Sequence, residues 1–400
     1  MGRMKKLLKS GTAAGAISGA LPAAFMLRNI VQLRLREAGA ERLEEAGVVR
    51  YPDQVREEEN PRSMEEVMAS IRDIPFNPRP YGGVLSTIIF ALPDVIPMIL
   101  AARSSTSGLL YRYPKPFKRL VVDSEDGTPI QAVMALHPDE RPRPALIMVH
   151  GLFGSKNIWF SQQVVLSAYY GWGYNVMAID LRFFGESKKL SDAPGTGGWK
   201  EGQDILAAAR FMKALPQVTS VAVMGGSYGG ASAILASAQC GDNCLDGGVI
   251  AFCPYGDTAK QVSFISTMPK LWEPYSSVYP FFMACFQLTK AGKYQGINTF
   301  EQFLKGYSAP HYGVSPEELI ELSSPALHLD KVKVPTLIIN TVDDPVIPVE
   351  QGYILQEAGK DNANVDSVIL PAGGHCGVVT VDRSWMSKTV RSFYNYWAWI

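Results

Sequence analysis

The chain has 400 residues, and its 38 Lys and Arg are balanced by 38 Asp and Glu, so it carries no net charge. With 47% hydrophobic residues it holds enough apolar material for one large globular domain plus an extension or a small cap. No basic stripe or nucleic-acid-binding motif is visible, which argues against nucleic acid as a partner. The cysteines Cys240, Cys244, Cys253, Cys285 and Cys376 are odd in number and match no metal-ligand spacing. Cys240 and Cys244 are spaced to pair across a short loop in an oxidising compartment, or to serve as ordinary small apolar residues, and so do not fix a location.

The first 36 residues contain no acid. Arg3, Lys5, Lys6 and Lys9 precede an uncharged run over 10–27, whose 18 residues barely span a bilayer core. Its Gly, Ala and Pro22 make it weakly apolar, while Gly11, Gly15 and Gly19 repeat at the four-residue spacing that lets helices approach closely in lipid. Residues 1–35 read as a membrane anchor or surface helix; a packed soluble helix and a cleaved signal or presequence are the alternatives. From Arg36 to Asp73, 11 acids against 6 bases imply one or two solvated helices on a linker. Residues 82–102 are a second apolar stretch in which Asp94, Pro93 and Pro97 argue against a straight spanning helix. A lid, a helix lying on a membrane surface and packing beside an active-site mouth all stand open. Residues 36–116 thus form charged linker helices and a second apolar segment. Residues 1–110 together read as a membrane-associating extension, with a cytoplasmic or exported protein as the alternative.

Beyond it, buried strand and amphipathic helix alternate. Residues 119–123 and 130–136 flank Glu125-Asp126-Gly127, a hairpin signal, and His137 after them reads as a surface residue. Residues 145–149 and 174–179 are continuous apolar strands, with a helix over 158–170 between them. This alternation predicts a mainly parallel sheet with helices on both faces, its site carried by loops at the carboxyl ends of the strands. Asp180 and Arg182 read as anchors for the loops beside His150. Residues 199–204 open a helix whose first-turn acids suit the macrodipole.

The stretch 220–230, Ser-Val-Ala-Val-Met-Gly-Gly-Ser-Tyr-Gly-Gly, is a short buried strand running into a helix of small residues. It contains G-x-S-x-G with Ser227 at its centre, where the chain must reverse sharply. A serine at such an apex sits in a strained backbone, and neighbours with side chains collide, which accounts for the flanking glycines. A serine hydroxyl needs a base to take its proton, and the base needs an acid to fix its tautomer. Downstream, a strand over 334–340 leads to Asp343 and Asp344, and one over 367–370 leads to Gly374 and His375. The order is Ser, Asp, His, each just after a strand.

From about Phe117 to the C-terminus the chain resembles the α/β-hydrolase superfamily of the serine esterase and lipase type. The resemblance rests on His150-Gly151-Leu152-Phe153-Gly154, the segment from Asp180 to Ser187, the serine turn, Asp343-Asp344-Pro345 and Gly374-His375. It implies an α/β-hydrolase fold with an inserted helical cap, in which Ser227 is the nucleophile, His375 the base and Asp344 the acid that orients it. Asp344 is favoured because it lies four residues before Pro348, as in the family's D-x-x-x-P pattern; Asp343 is the alternative. The backbone N–H groups of Leu152 and Tyr228 are the implied oxyanion donors.

The hydrolase core is expected over 117–253 and 334–400. Between them, 254–333 is far longer than a usual connection between a strand and a helix, and reads as a helical cap whose aromatic residues partly line an apolar pocket. His311 and His328 within it read as structural. The expected activity is cleavage of carboxylic esters, lipid-like ones among them, through an acyl-enzyme, with no metal or organic cofactor. Thioesterase, amidase and acyltransferase chemistry shares the same three residues, and a silent membrane-associated scaffold is the alternative of another class.

Overall fold

The computed structural model describes residues 63–95, 113–139, 141–290, 294 and 296–398. The strands are β1 (Lys118–Asp123), β2 (Pro129–Ala135), β3 (Arg143–Val149), β4 (Asn175–Ile179), β5 (Val218–Gly226), β6 (Val249–Phe252), β7 (Thr336–Thr341) and β8 (Val365–Leu370). They form one sheet in the order β1-β2-β4-β3-β5-β6-β7-β8. The hairpin β1–β2 is antiparallel and β2 runs antiparallel to β4, whereas every pairing from β4 to β8 is parallel.

Parallel pairing accounts for the apolar runs. Helices cover both faces, so β3, β4, β6 and β7 are buried at every residue. The helices are α1 (Met64–Arg72), α2 (Gly82–Ala91), α3 (Trp159–Trp172), α4 (Trp199–Lys213), α5 (Tyr228–Gln239), α6 (Thr258–Ser266), α7 (Tyr279–Lys290), α8 (Pro316–Leu322), α9 (Val349–Gly359) and α10 (Arg383–Trp397), with shorter turns between them. Side chains alternate along β3 as the pleat requires. Leu146 and Met148 join the core shared with α1, α3 and α10, while Ala145, Ile147 and Val149 join the core under α4 and the helices of 254–333.

Helix α1 departs from the solvated linker expected of its charge. Ser63 and Glu66 cap its start reciprocally, and Met64, Val67, Met68 and Ile71 are buried on one face, each side chain contributing about 1.5–3 kcal/mol. Phe76, just beyond it, meets Trp385 of α10 edge to face at 5.4 Å. His137 is a further correction. It is buried rather than on the surface and stacks on Tyr169 with 4.2 Å between ring centres, and burial pulls its pKa down to about 4. Cys240 and Cys244 are both buried, with their sulfurs 3.4 Å apart and not bonded to each other.

Of the second apolar stretch, α2 and the turn to Val95 pack beside the carboxyl ends of the strands. The expected anchor over 1–35, the acidic run up to Arg62 and residues 96–112 lie outside the described residues. Among those described, no helix is long and apolar enough to cross a membrane.

Candidate active site

Strand β5 ends in Gly225-Gly226, and Ser227 follows at φ 55°, ψ −122°, before α5 begins at Tyr228. The glycines are needed because backbones meet there. A Cβ on Gly225 would lie 2.2 Å from the Gly229 carbonyl oxygen, and one on Gly229 would lie 2.4 Å from that of His150. No side chain fits at either position, so the serine turn can press against the end of β3.

Asp344 follows β7 and His375 follows β8, and the topology brings both to Ser227. His375 Nε2 lies 2.9 Å from Ser227 Oγ, and His375 Nδ1 lies 2.8 Å from Asp344 Oδ2. The other Asp344 oxygen accepts from the N–H groups of Val346 and Ile347, at 2.7 and 2.9 Å, which fixes the carboxylate. Asp343 turns elsewhere and accepts from the N–H of Gly374 at 2.8 Å. Burial works against a charged imidazole at His375, but the adjoining Asp344 carboxylate outweighs it and holds the pKa up at about 9.

The His375 loop has further ties. Thr341 donates to the Gly374 carbonyl at 3.0 Å, the N–H of Cys376 approaches Cys253 Sγ at 3.2 Å, and the N–H of His375 donates to Thr87 Oγ1 of α2 at 2.8 Å. Leu152 and Tyr228 both line the cavity beside Ser227. Among the described residues, no protein group accepts from either backbone N–H, and that of Tyr228 stands in the first turn of α5, where helix N–H groups lack partners.

The segment between β3 and α4 is held by buried charge. Lys156 pairs with Asp180 at 2.5 Å and with Glu186 at 2.7 Å. Arg182, fully buried, pairs with Asp204 at 2.6 Å and Asp126 at 2.7 Å, and donates to Tyr312 Oη at 3.1 Å. The anchoring expected of Asp180 and Arg182 takes this form. Asp204, assigned from sequence to the helix dipole, is the inner partner of Arg182. His150 accepts from the Leu181 N–H at Nε2, 3.2 Å away, and lies 2.8 Å from the Gly151 carbonyl at Nδ1. Burial disfavours its charged form, so it serves as a neutral strut. His328 contacts the Glu321 carbonyl at 3.0 Å, and His311 stacks against Tyr307.

Two residues were given no role at the site from the sequence. Thr87 is one; Asp94 is the other, accepting from the Trp159 N–H at 2.6 Å and so capping α3 in place of Ile158, which offers no side-chain bond. Burial raises its carboxyl to about 7. Cys253, Cys376 and His375 bring one potential metal-ligand atom each within 4.8 Å of the others, but both ring nitrogens of His375 are engaged by Ser227 and Asp344.

Comparison with known proteins gives the family of the chain. The chain is 25% identical over 301 residues, 67% of its length and 79% of the relative's, to a protein of Synechocystis sp. named as a candidate esterase. It is 33% identical over 108 residues to acylamino-acid-releasing enzyme 1 of Oryza sativa subsp. japonica, an alignment spanning 26% of this chain and only 14% of that protein. An esterase of Pyrococcus furiosus superposes with a TM-score of 0.52 at 20% identity, covering 72% of this chain and 97% of that one, a likeness of fold. The profile of the alpha/beta hydrolase family matches residues 146–383, more than half of the sequence, and the chain therefore belongs to the alpha/beta hydrolase family.

Proposed function

We propose that this chain is a serine hydrolase of carboxylic esters. The observation that carries the reading is the hydrogen-bonded series from Ser227 Oγ through the His375 imidazole to Asp344, with contacts of 2.9 and 2.8 Å. His375 Nε2 takes the Ser227 proton as Oγ attacks the ester carbonyl carbon. The carbonyl oxygen gains negative charge and is held by the N–H groups of Leu152 and Tyr228, where a single such donor is worth about 3 kcal/mol of barrier. The intermediate collapses and the C–O bond to the alcohol breaks. His375 returns the proton to the departing oxygen, leaving an acyl group on Ser227. A water, deprotonated by the same imidazole, then releases the acid and restores the serine.

Asp344 orients the ring and stabilises its charged form. Leu152, Phe183, Phe282 and Phe303 surround the cavity next to Ser227, which supports an apolar acyl group. The Synechocystis relative named as a candidate esterase supports the same chemistry. The test is turnover of simple esters by the wild type and by Ser227→Ala: turnover that vanishes in the variant is expected, and equal turnover in both contradicts the reading.

A further inference from the structure

Two apolar cavities meet at Ser227. One, of about 80 Å³, lies under the helices of 254–333 and includes Tyr228, one of the two proposed oxyanion donors; Leu152, the other, borders both cavities. The other, of about 340 Å³, includes His375 and is walled by Thr87, Ile88 and Ala91 of α2, facing Val278 and Phe281. In ester cleavage the departing alcohol oxygen must lie where the imidazolium can protonate it, so the alcohol half occupies the His375 side and the acyl half the opposite side.

Helix α2 is outside the family-matched region, yet it is seated tightly on the site. Gly83, Ser86 and Thr87 form its buried side. A Cβ on Gly83 would fall 1.6 Å from the Asp343 carbonyl oxygen, and one on Gly374 would fall 2.2 Å from that of Gly83. The two glycines let the helix backbone touch both loops that carry the acid and the base. Thr87 Oγ1 then donates to the Gly83 carbonyl at 2.7 Å and accepts from the His375 N–H at 2.8 Å. A hydroxyl satisfied in both directions has one orientation, and it fixes the peptide from which the imidazole projects.

We infer that α2 is a working part of the site: it builds the chamber for a bulky apolar alcohol, and Thr87 is a positioning residue for His375. This rests on the ester-hydrolase reading above. The substrate class follows from the two linings: an ester whose acyl group lies among the aromatic side chains under 254–333 and whose alcohol is uncharged and apolar.

The experiment measures kcat and KM for methyl, butyl and octyl butyrate by acid release, using the full chain, Ser227→Ala, Thr87→Val, Thr87→Ser and Ala91→Trp, each with its melting temperature. The wild-type kcat/KM is expected to rise from methyl to octyl. Thr87→Val keeps the shape of the side chain but removes the acceptor. It is expected to lower kcat about tenfold or more with little change in KM, since small misplacements of a reacting group cost up to about a hundredfold. Thr87→Ser restores the acceptor and most of the rate. Ala91→Trp fills the chamber and flattens the preference for octyl. Folded Thr87→Val turning over at the wild-type rate, or Ala91→Trp keeping the wild-type alcohol preference, overturns this inference alone while Ser227-dependent turnover stands. A wild type that cleaves none of the esters overturns the hydrolase reading with it.

Discussion

Asp344→Asn isolates what the carboxylate does for the base. In the folded protein burial pushes His375 toward the neutral form, and Asp344 at 2.8 Å overcomes this, so that the pKa rises from 6.5 to about 9. The rise is worth about 3 kcal/mol, at 1.36 kcal/mol for each unit. At pH 7 only about one imidazole in a hundred is neutral and able to take the serine proton. The wild-type kcat/KM should therefore climb about tenfold per pH unit between 7 and 9 and level off above that. With Asn the attraction is gone and burial remains. The inflection should fall to 6.5 or lower, and the plateau rate should drop by up to about 10⁴-fold, because the amide no longer favours the correct tautomer. Stability moves with the same proton. A base with a raised folded pKa stabilises the fold below its unfolded value and loses that contribution as pH rises through the folded one. The wild type should accordingly lose about 3 kcal/mol relative to the variant between pH 6.5 and 9. The assays are kcat/KM from pH 6 to 10, NMR titration of the imidazole, and urea unfolding at both ends of that window. A wild-type profile flat from pH 7 to 9, or an inflection unmoved by the substitution, refutes the reasoning.

Two further substitutions test the supports of the site. Asp94 has its pKa raised from 3.8 to about 7 by burial, so the folded state binds this proton more tightly and loses stability as pH climbs between those values. Asp94→Asn keeps an acceptor for the Trp159 N–H; in urea unfolding it should match the wild type near pH 4 and exceed it by up to about 4 kcal/mol above pH 7, and equal stability at both pH values contradicts this. Arg182→Met leaves the fully buried Asp204 without its ion pair, a loss of about 3–5 kcal/mol, and adding Asp204→Asn should recover much of it in a double-mutant cycle. No recovery would mean that the pair is uncoupled.

Much of the candidate site was legible because its signals are local. The strained serine turn writes its own requirement into the sequence, since Gly225 and Gly229 are the positions where a Cβ would strike backbone. The parallel strands announce themselves by being apolar throughout. Choosing Asp344 over Asp343 needed the family pattern, because adjacent acids on one loop differ only in where they point. The structure turns one to His375 and the other to the Gly374 N–H.

What was missed depends on contacts between distant segments. Thr87 lies 288 residues from the His375 amide it holds, and no spacing rule encodes that meeting. In α1 the high density of acids hid an apolar face, although Met64, Val67, Met68 and Ile71 repeat at helical spacing and carry the signal of a docked helix. His137 looked exposed because it follows a hairpin, yet Tyr169 from α3 covers it. Asp204 shows the limit of a local electrostatic rule. The dipole explains an acid near a helix start, but a fully buried carboxylate needs a cation, and only the fold reveals Arg182.

The most direct measurement reacts the folded chain with a fluorophosphonate and maps the adduct by mass spectrometry. The account predicts one phosphonyl group on Ser227, formed much more slowly in His375→Ala and absent in Ser227→Ala. Folded wild-type protein that stays unlabelled, or that carries the label on another residue, contradicts it.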